Sequence, residues 1–233
     1  MKIQLIIFFS ILSFNILKAQ NDAATVIKQI NEAYDRNKNM LITNTYKMYV
    51  NHTTNTAYET LEGITKKQGL KLTYQLKNIE RLENASRRIV INNDDKTMFV
   101  EPNTKDRSSY IMDANLEKYL QENKIGTIED KGTQLVLTIA LEAKDIEKIQ
   151  IVVNKSSFMI DKFITYYKQA VRLNPENLQM PEEKPRMEVS FQINLNPTFN
   201  PNDFKESKFI KVVNGKVSLS EQYKNYRLMS LDN

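Results

Sequence analysis

The chain has 233 residues, of which 41% are apolar and 26% charged, with only five glycines. That balance suits one folded domain and excludes a disordered tail, a collagen-like or low-complexity polymer and a multi-span membrane protein. The net charge of +5 is too small for a nucleic-acid surface, and no dense basic stripe is interleaved with aromatics, so no nucleic-acid partner is expected.

The N-terminus sets the compartment. Lys2 precedes an almost wholly apolar run from Ile3 to Ile16, followed by Leu17, Lys18, Ala19 and Gln20. A short basic start, an apolar middle and a small residue at the cut read as a secretory signal peptide over residues 1–19, cleaved near Ala19. The run is short for a membrane span, and an uncleaved anchor is the alternative to cleavage. Losing Lys2 and Lys18 leaves a charge of about +3 on the mature chain. No cysteine occurs anywhere, which rules out an acylated N-terminal cysteine and any disulfide. A chain of this size builds a sufficient apolar core without them. Residues 20–233 are therefore expected to form a single exported domain.

Behind the leader, Val26, Ile27, Ile30, Ala33 and Tyr34 fall on one stripe of a helix, with Asp22 or Thr25 as its cap and Asn37-Lys38-Asn39 as its end. The period then shifts toward two. Strands are predicted at Tyr46 to Val50, Leu70 to Leu76, Arg88 to Ile91 and Lys96 to Val100, the last two joined as a hairpin by Asn92-Asn93-Asp94-Asp95. Ser109 to Asn123 reads as a second helix, with Ile111, Met112, Leu116, Tyr119 and Leu120 as its stripe. Strands resume at Leu135 to Ala140, Ile149 to Val153 and Phe158 to Tyr167. The cleanest alternation is Met187 to Leu195, where Met187, Val189, Phe191, Ile193 and Leu195 share a face. Between them, residues 172–186 carry Pro175, Pro181 and Pro185 and read as a long loop. Asn214-Gly215 marks a hairpin between Phe209 to Val213 and Lys216 to Leu219, and Tyr223 to Leu231 offers a last strand.

Residues for bond-breaking chemistry are missing from this pattern. There is no cysteine and no glycine-flanked serine elbow. The one histidine, His52, sits in the polar stretch Asn51-His52-Thr53-Thr54, where a surface loop explains it. No H-E-x-x-H or calcium-loop spacing occurs, and the acidic pairs Asp94-Asp95, Glu129-Asp130 and Glu182-Glu183 lie in turns where solvation accounts for them. The reading is of a non-enzymatic protein without metal or cofactor.

The order of segments resembles the outer-membrane lipoprotein carrier (LolA-like) family. The likeness rests on the helix that follows the leader and on Leu61-Glu62-Gly63-Ile64-Thr65-Lys66-Lys67 leading into Leu70 to Tyr74. It rests also on the hairpin Ile89 to Pro102, and on Ile149 to Tyr167 followed by Met187 to Leu195 and Phe204. The chain departs from the family at Asp94-Asp95, where Asp-Gly is usual, and at Phe99, where tryptophan is common. Lys67 is followed by Gln68 rather than proline, and the loop and the tail after Lys211 look like additions.

The resemblance implies a mainly β fold with helices: a curved, incompletely closed antiparallel half-barrel covered by two or more helices. It implies a periplasmic carrier that shields acyl chains of a lipoprotein or lipid and ferries it toward the outer membrane. Partners would be the lipoprotein machinery of the inner and outer membranes, met by a monomer. Each CH₂ moved out of water gains about 0.8 kcal/mol, so multi-chain lipids do not cross an aqueous gap unshielded. Candidates to line the cavity are Tyr46, Met48, Leu72, Tyr74, Ile89, Ile91, Met98, Val100, Met112, Leu116, Met187, Val189, Phe191 and Ile193. The alternative is a non-catalytic envelope sensor or scaffold of the same fold that binds a protein partner.

Overall fold

The structure, a computed structural model, describes residues 23–103, 125–141, 145–171 and 181–230. The signal peptide, the helix expected over 109–123 with Met112 and Leu116, and the larger part of the 172–186 loop lie outside the described residues.

Among the described residues one α-helix, α1 over residues 23–36, leads into fourteen strands. They are β1 (Asn39–Tyr49), β2 (Glu59–Gln68), β3 (Lys71–Leu76), β4 (Ile79–Glu83), β5 (Arg87–Asn92), β6 (Thr97–Pro102) and β7 (Ile125–Asp130). There follow β8 (Gln134–Ala140), β9 (Ile146–Asn154), β10 (Ile160–Tyr167), β11 (Arg186–Asn194), β12 (Ile210–Val213), β13 (Lys216–Leu219) and β14 (Arg227–Ser230). Twelve of them form one open ladder in the order β14-β6-β5-β4-β3-β2-β1-β11-β10-β9-β8-β7, while β12 and β13 pair by themselves. The ladder is antiparallel apart from β14, which runs parallel to β6. The large open antiparallel sheet agrees with the expected incompletely closed half-barrel; of the two or more helices expected to cover it, the described residues hold one. Among the described residues no helix is long and apolar enough to cross a membrane.

Two compact units divide the chain. Unit 1 holds residues 1–36, 46–60 and 111–190, and unit 2 holds 37–45, 61–110 and 191–233.

In unit 1 the register gives each strand an apolar face. Leu137 pairs with Ile151 and Ile139 with Ile149, while Ile151 and Val189 both pair with Phe163, and all are buried. The α1 stripe of Ala23, Val26, Ile27, Ile30, Ala33 and Tyr34 is buried as well. Tyr34 Oη accepts a hydrogen bond of 3.2 Å from the Ile160 N–H, which pins α1 to the start of β10. That amide lies where the β9–β10 register shifts, so the phenol satisfies a donor beside an irregular ladder step. The β9–β10 turn is held by Asn154, whose side-chain oxygen accepts from the N–H groups of Ser156 and Ser157.

Unit 2 is built from hairpins. The β5–β6 turn keeps its shape without glycine because Asn92 Oδ1 accepts from the N–H groups of Asp94 and Asp95, and Lys96 takes the left-handed conformation at φ 47°. In the β12–β13 hairpin Asn214 and Gly215 have φ of 50° and 79°, as a type I′ turn requires. The core of the unit joins Leu82, Ile89, Ile91, Met98 and Val100 from β4, β5 and β6 to Phe209, Ile210 and Tyr223 of the C-terminal segment. That segment is tied to the strands by polar contacts too. Lys66 pairs with Asp203 at 2.8 Å, Asn84 donates to Glu206 at 2.9 Å, and the Tyr226 hydroxyl donates to Asn93 at 2.8 Å.

Burial raises the pKa of Tyr223 to about 12, and desolvation raises that of Tyr34 further. The folded state thus favours the neutral phenols. Their contribution to stability is complete below the unfolded tyrosine value of about 10 and is lost as pH climbs through the folded values. Denaturant unfolding between pH about 9 and about 12 is expected to show falling stability, with Tyr34→Phe flattening the decline. A decline that Tyr34→Phe leaves unchanged would remove Tyr34 from this account.

Candidate functional site

Strand registers in unit 2 decide which side chains share a face, and they separate the expected cavity residues into two groups. Leu82 pairs with Ile89, Ile91 with Met98, and Ile89 with Val100, so these residues lie on one face, where the C-terminal segment seals them. The opposite face carries the other parity. Thr65 pairs with Tyr74, Tyr74 with Arg81, Arg81 with Val90, Val90 with Phe99, and Phe99 with Met229. The row from Tyr74 on β3 to Met229 on β14 spans four strand spacings, or about 19 Å.

The apolar side chains of this row open toward the β6 and β14 end. Phe99 is 44% exposed and Met229 is 42% exposed, and Tyr74, Val90 and Ile79 are half-buried. Large exposed apolar side chains set side by side across adjacent strands are unlike the scattered ones of an ordinary surface. Arg81 interrupts the row with its aliphatic stem while its head turns to Glu83, Nε donating at 2.7 Å.

One register step along, Leu72 faces Glu83, Glu83 faces Arg88, and Arg88 faces Glu101. Glu83 is buried between Arg81 and the Arg88 Nε at 3.4 Å, and the Arg88 Nη1 reaches Glu101 at 3.2 Å. Two arginines and two carboxylates neutralise one another there. Arg88 Nε is buried and close enough for ion pairing but has no aligned hydrogen bond. Lys67 Nζ, on the same face, donates to the Asn37 carbonyl at 3.2 Å. The geometry is an apolar track with a self-compensated ionic border.

Other expected positions fall elsewhere. Leu72 is buried and Tyr74 half-buried on the face of the track. Ile89, Ile91, Met98 and Val100 are fully buried on the opposite one. Tyr46 and Met48, on the part of β1 in unit 1, are half-buried. Met187 is half-buried opposite Thr165, and Val189 is buried beside Phe163. Phe191 and Ile193, on the part of β11 in unit 2, are half-buried.

Val90, Phe99, Ile79 and Met229 escaped sequence reasoning. Ile89-Val90-Ile91 and Met98-Phe99-Val100 are apolar on both parities, so alternation does not choose a face. A usable signal was present downstream: Phe209, Ile210 and Tyr223 need a face to cover, and that leaves the other parity open.

Two further features of the described residues are polar. A cleft of about 330 Å³ in unit 2 is lined by Lys66, Glu80, Arg81, Asp203 and Lys208 with Tyr74 and Phe209, a mixed wall rather than a greasy one. In unit 1, His52 stacks edge-on against Tyr166 at 5.1 Å, and its Nε2 lies 3.1 Å from the Tyr167 carbonyl. The buried Arg186 donates to the carbonyls of His52 and Thr54, pairs with Glu188 at 3.1 Å and covers the Tyr49 ring. The histidine thus belongs to a loop clasped by an arginine.

No family model matches the chain, and no curated protein matches it. Among solved structures, the chain is similar to an uncharacterized conserved protein from Thermus thermophilus, with 6% identity, a TM-score of 0.43, and coverage of 76% of this chain and 90% of that one. It is similar to a LolA superfamily protein from Nitrosomonas europaea, with 9% identity, a TM-score of 0.36, and coverage of 78% and 97%. It is similar also to a protein from Vibrio parahaemolyticus described as an outer membrane lipoprotein-sorting protein domain, with 10% identity, a TM-score of 0.36, and coverage of 82% and 97%. These backbones superpose loosely, which leaves the functional reading to the geometry of this chain.

Proposed function

We propose that this chain is an exported, non-enzymatic carrier that shields acyl chains of a lipoprotein or lipid in the periplasm and delivers it toward the outer membrane. The observation that carries the reading is the row of Tyr74, Val90, Phe99 and Met229, interrupted on β4 by Arg81 and bordered by the Glu83 and Arg88 ion pairs. An acyl chain laid on it leaves water for apolar contact, at about 25 cal/mol for each Å² covered. Because the track is open on one side, the grip is modest, as release to a downstream acceptor requires. Methionine at Met229 suits a chain of variable shape.

The chain is to be purified from a bacterial envelope and its co-purifying lipids identified by mass spectrometry. Bound acyl chains are expected in the parent. Phe99→Asp is expected to lose most of them while the circular dichroism spectrum stays unchanged, since Phe99 is 44% exposed. A parent free of acyl chains that also fails to bind a fluorescent fatty acid would end the carrier reading. It would favour the scaffold that binds a protein partner instead.

A further inference from the structure

The C-terminal segment that seals one face of unit 2 turns another surface outward, and acyl shielding does not use it. We infer that the β12–β13 hairpin docks the protein on an anionic lipid surface, its valines entering the headgroup layer and its lysines meeting the lipid phosphates. This does not rest on the carrier reading.

The hairpin register gives it two faces. Ile210 pairs with Leu219 and Val212 with Val217; Ile210 belongs to the core, with Val217 and Leu219 packed against it. Lys211 pairs with Ser218 and Val213 with Lys216, and this face points to solvent. Val213 is 64% exposed on that face between two lysines, while Val212, on the other face of the same tip, is 40% exposed. The type I′ turn at Asn214-Gly215 fixes this tip, so the valines do not fold back onto the protein.

Charge identifies the occupant. Residues 205–227 carry six basic side chains against two acidic ones. Both acids are already engaged, Glu206 with Arg87 at 3.7 Å and Glu221 with Lys224 at 2.7 Å. Lys205, Lys208, Lys211 and Lys216 are exposed. Two exposed valines at one tip, with lysines beside Val213, lack the aromatic or arginine anchor that typically carries a protein interface. They match the combination of shallow apolar insertion and phosphate attraction that holds peripheral proteins on anionic bilayers.

The full chain is to be sedimented with vesicles of phosphatidylcholine alone and of phosphatidylcholine mixed with phosphatidylglycerol. Binding is expected on the mixed vesicles, declining as salt screens the lysines. Lys211→Gln with Lys216→Gln is expected to lower the partition coefficient by about tenfold or more. Val212→Ser with Val213→Ser is expected to lower it by roughly tenfold. Both double variants should melt like the parent, since all four side chains are exposed. Equal binding to neutral vesicles would overturn the inference, as would unchanged partitioning of both variants. Absence of vesicle binding, with the same hairpin instead required to capture a protein, would overturn it too.

Discussion

Met98→Ala is expected to lower the unfolding free energy by about 2–5 kcal/mol, and its neighbour Phe99→Ala by less than about 1 kcal/mol. Met98 is fully buried among Leu82, Ile89, Ile91 and Phe209, so truncation leaves a cavity that the surrounding strands cannot collapse. Phe99, one residue on, lies on the opposite face and is 44% exposed, so losing its ring removes little buried contact. The order inverts for ligand: Phe99→Ala should weaken acyl binding, and Met98→Ala should spare it in whatever fraction remains folded. Denaturant melts of the two variants beside a fatty-acid titration decide the matter. Equal destabilisation by both substitutions would mean that the faces of β6 are assigned the wrong way round, and the proposed track would go with them.

Arg186→Met is expected to destabilise the protein by about 3–5 kcal/mol, the other large effect. The side chain is 8% exposed, and its guanidinium serves the carbonyls of His52 and Thr54, the Glu188 carboxylate and the Tyr49 ring together. Methionine fills a comparable volume but donates to none of them. Two loop carbonyls lose their partners, and Glu188 keeps only Lys162, at 3.1 Å. Arg186→Lys restores the charge but not the planar fork, so it should recover only part of the loss. The measurement is chemical unfolding of all three proteins. A methionine variant within about 1 kcal/mol of the parent would show that the clasp is ornamental to stability, its desolvation cost cancelling its bonds.

Local pattern was legible where one residue type leaves few choices. The α1 stripe, the Asn214-Gly215 hairpin and the alternation from Met187 onward were all read from spacing, and each appears as helix, turn or strand. Three strands were not. β4 reads Ile79-Glu80-Arg81-Leu82-Glu83, too charged for a strand by composition; its charges are tolerated because Arg81, Glu83 and Arg88 neutralise one another across neighbouring strands. β2 and β7 have weak apolar alternation of their own, and pairing with β3 and β8 supplies their order. The candidate site was less legible than the fold. Leu72 and Tyr74 were named on the track, while Ile89, Ile91, Met98 and Val100 were named from the opposite face, because an all-apolar stretch carries no mark of which parity will be covered.

From the residues alone came the excess of strands, the absence of cysteine chemistry and the turns at Asn92-Asn93-Asp94-Asp95 and Asn214-Gly215, since these depend on side chains a few positions apart. Which face of β5 and β6 is core and which is open was settled only by the return of Phe209, Ile210 and Tyr223 from more than a hundred residues downstream. Burial is a property of the partner as much as of the residue, and a sequence does not announce where along the chain that partner will come from.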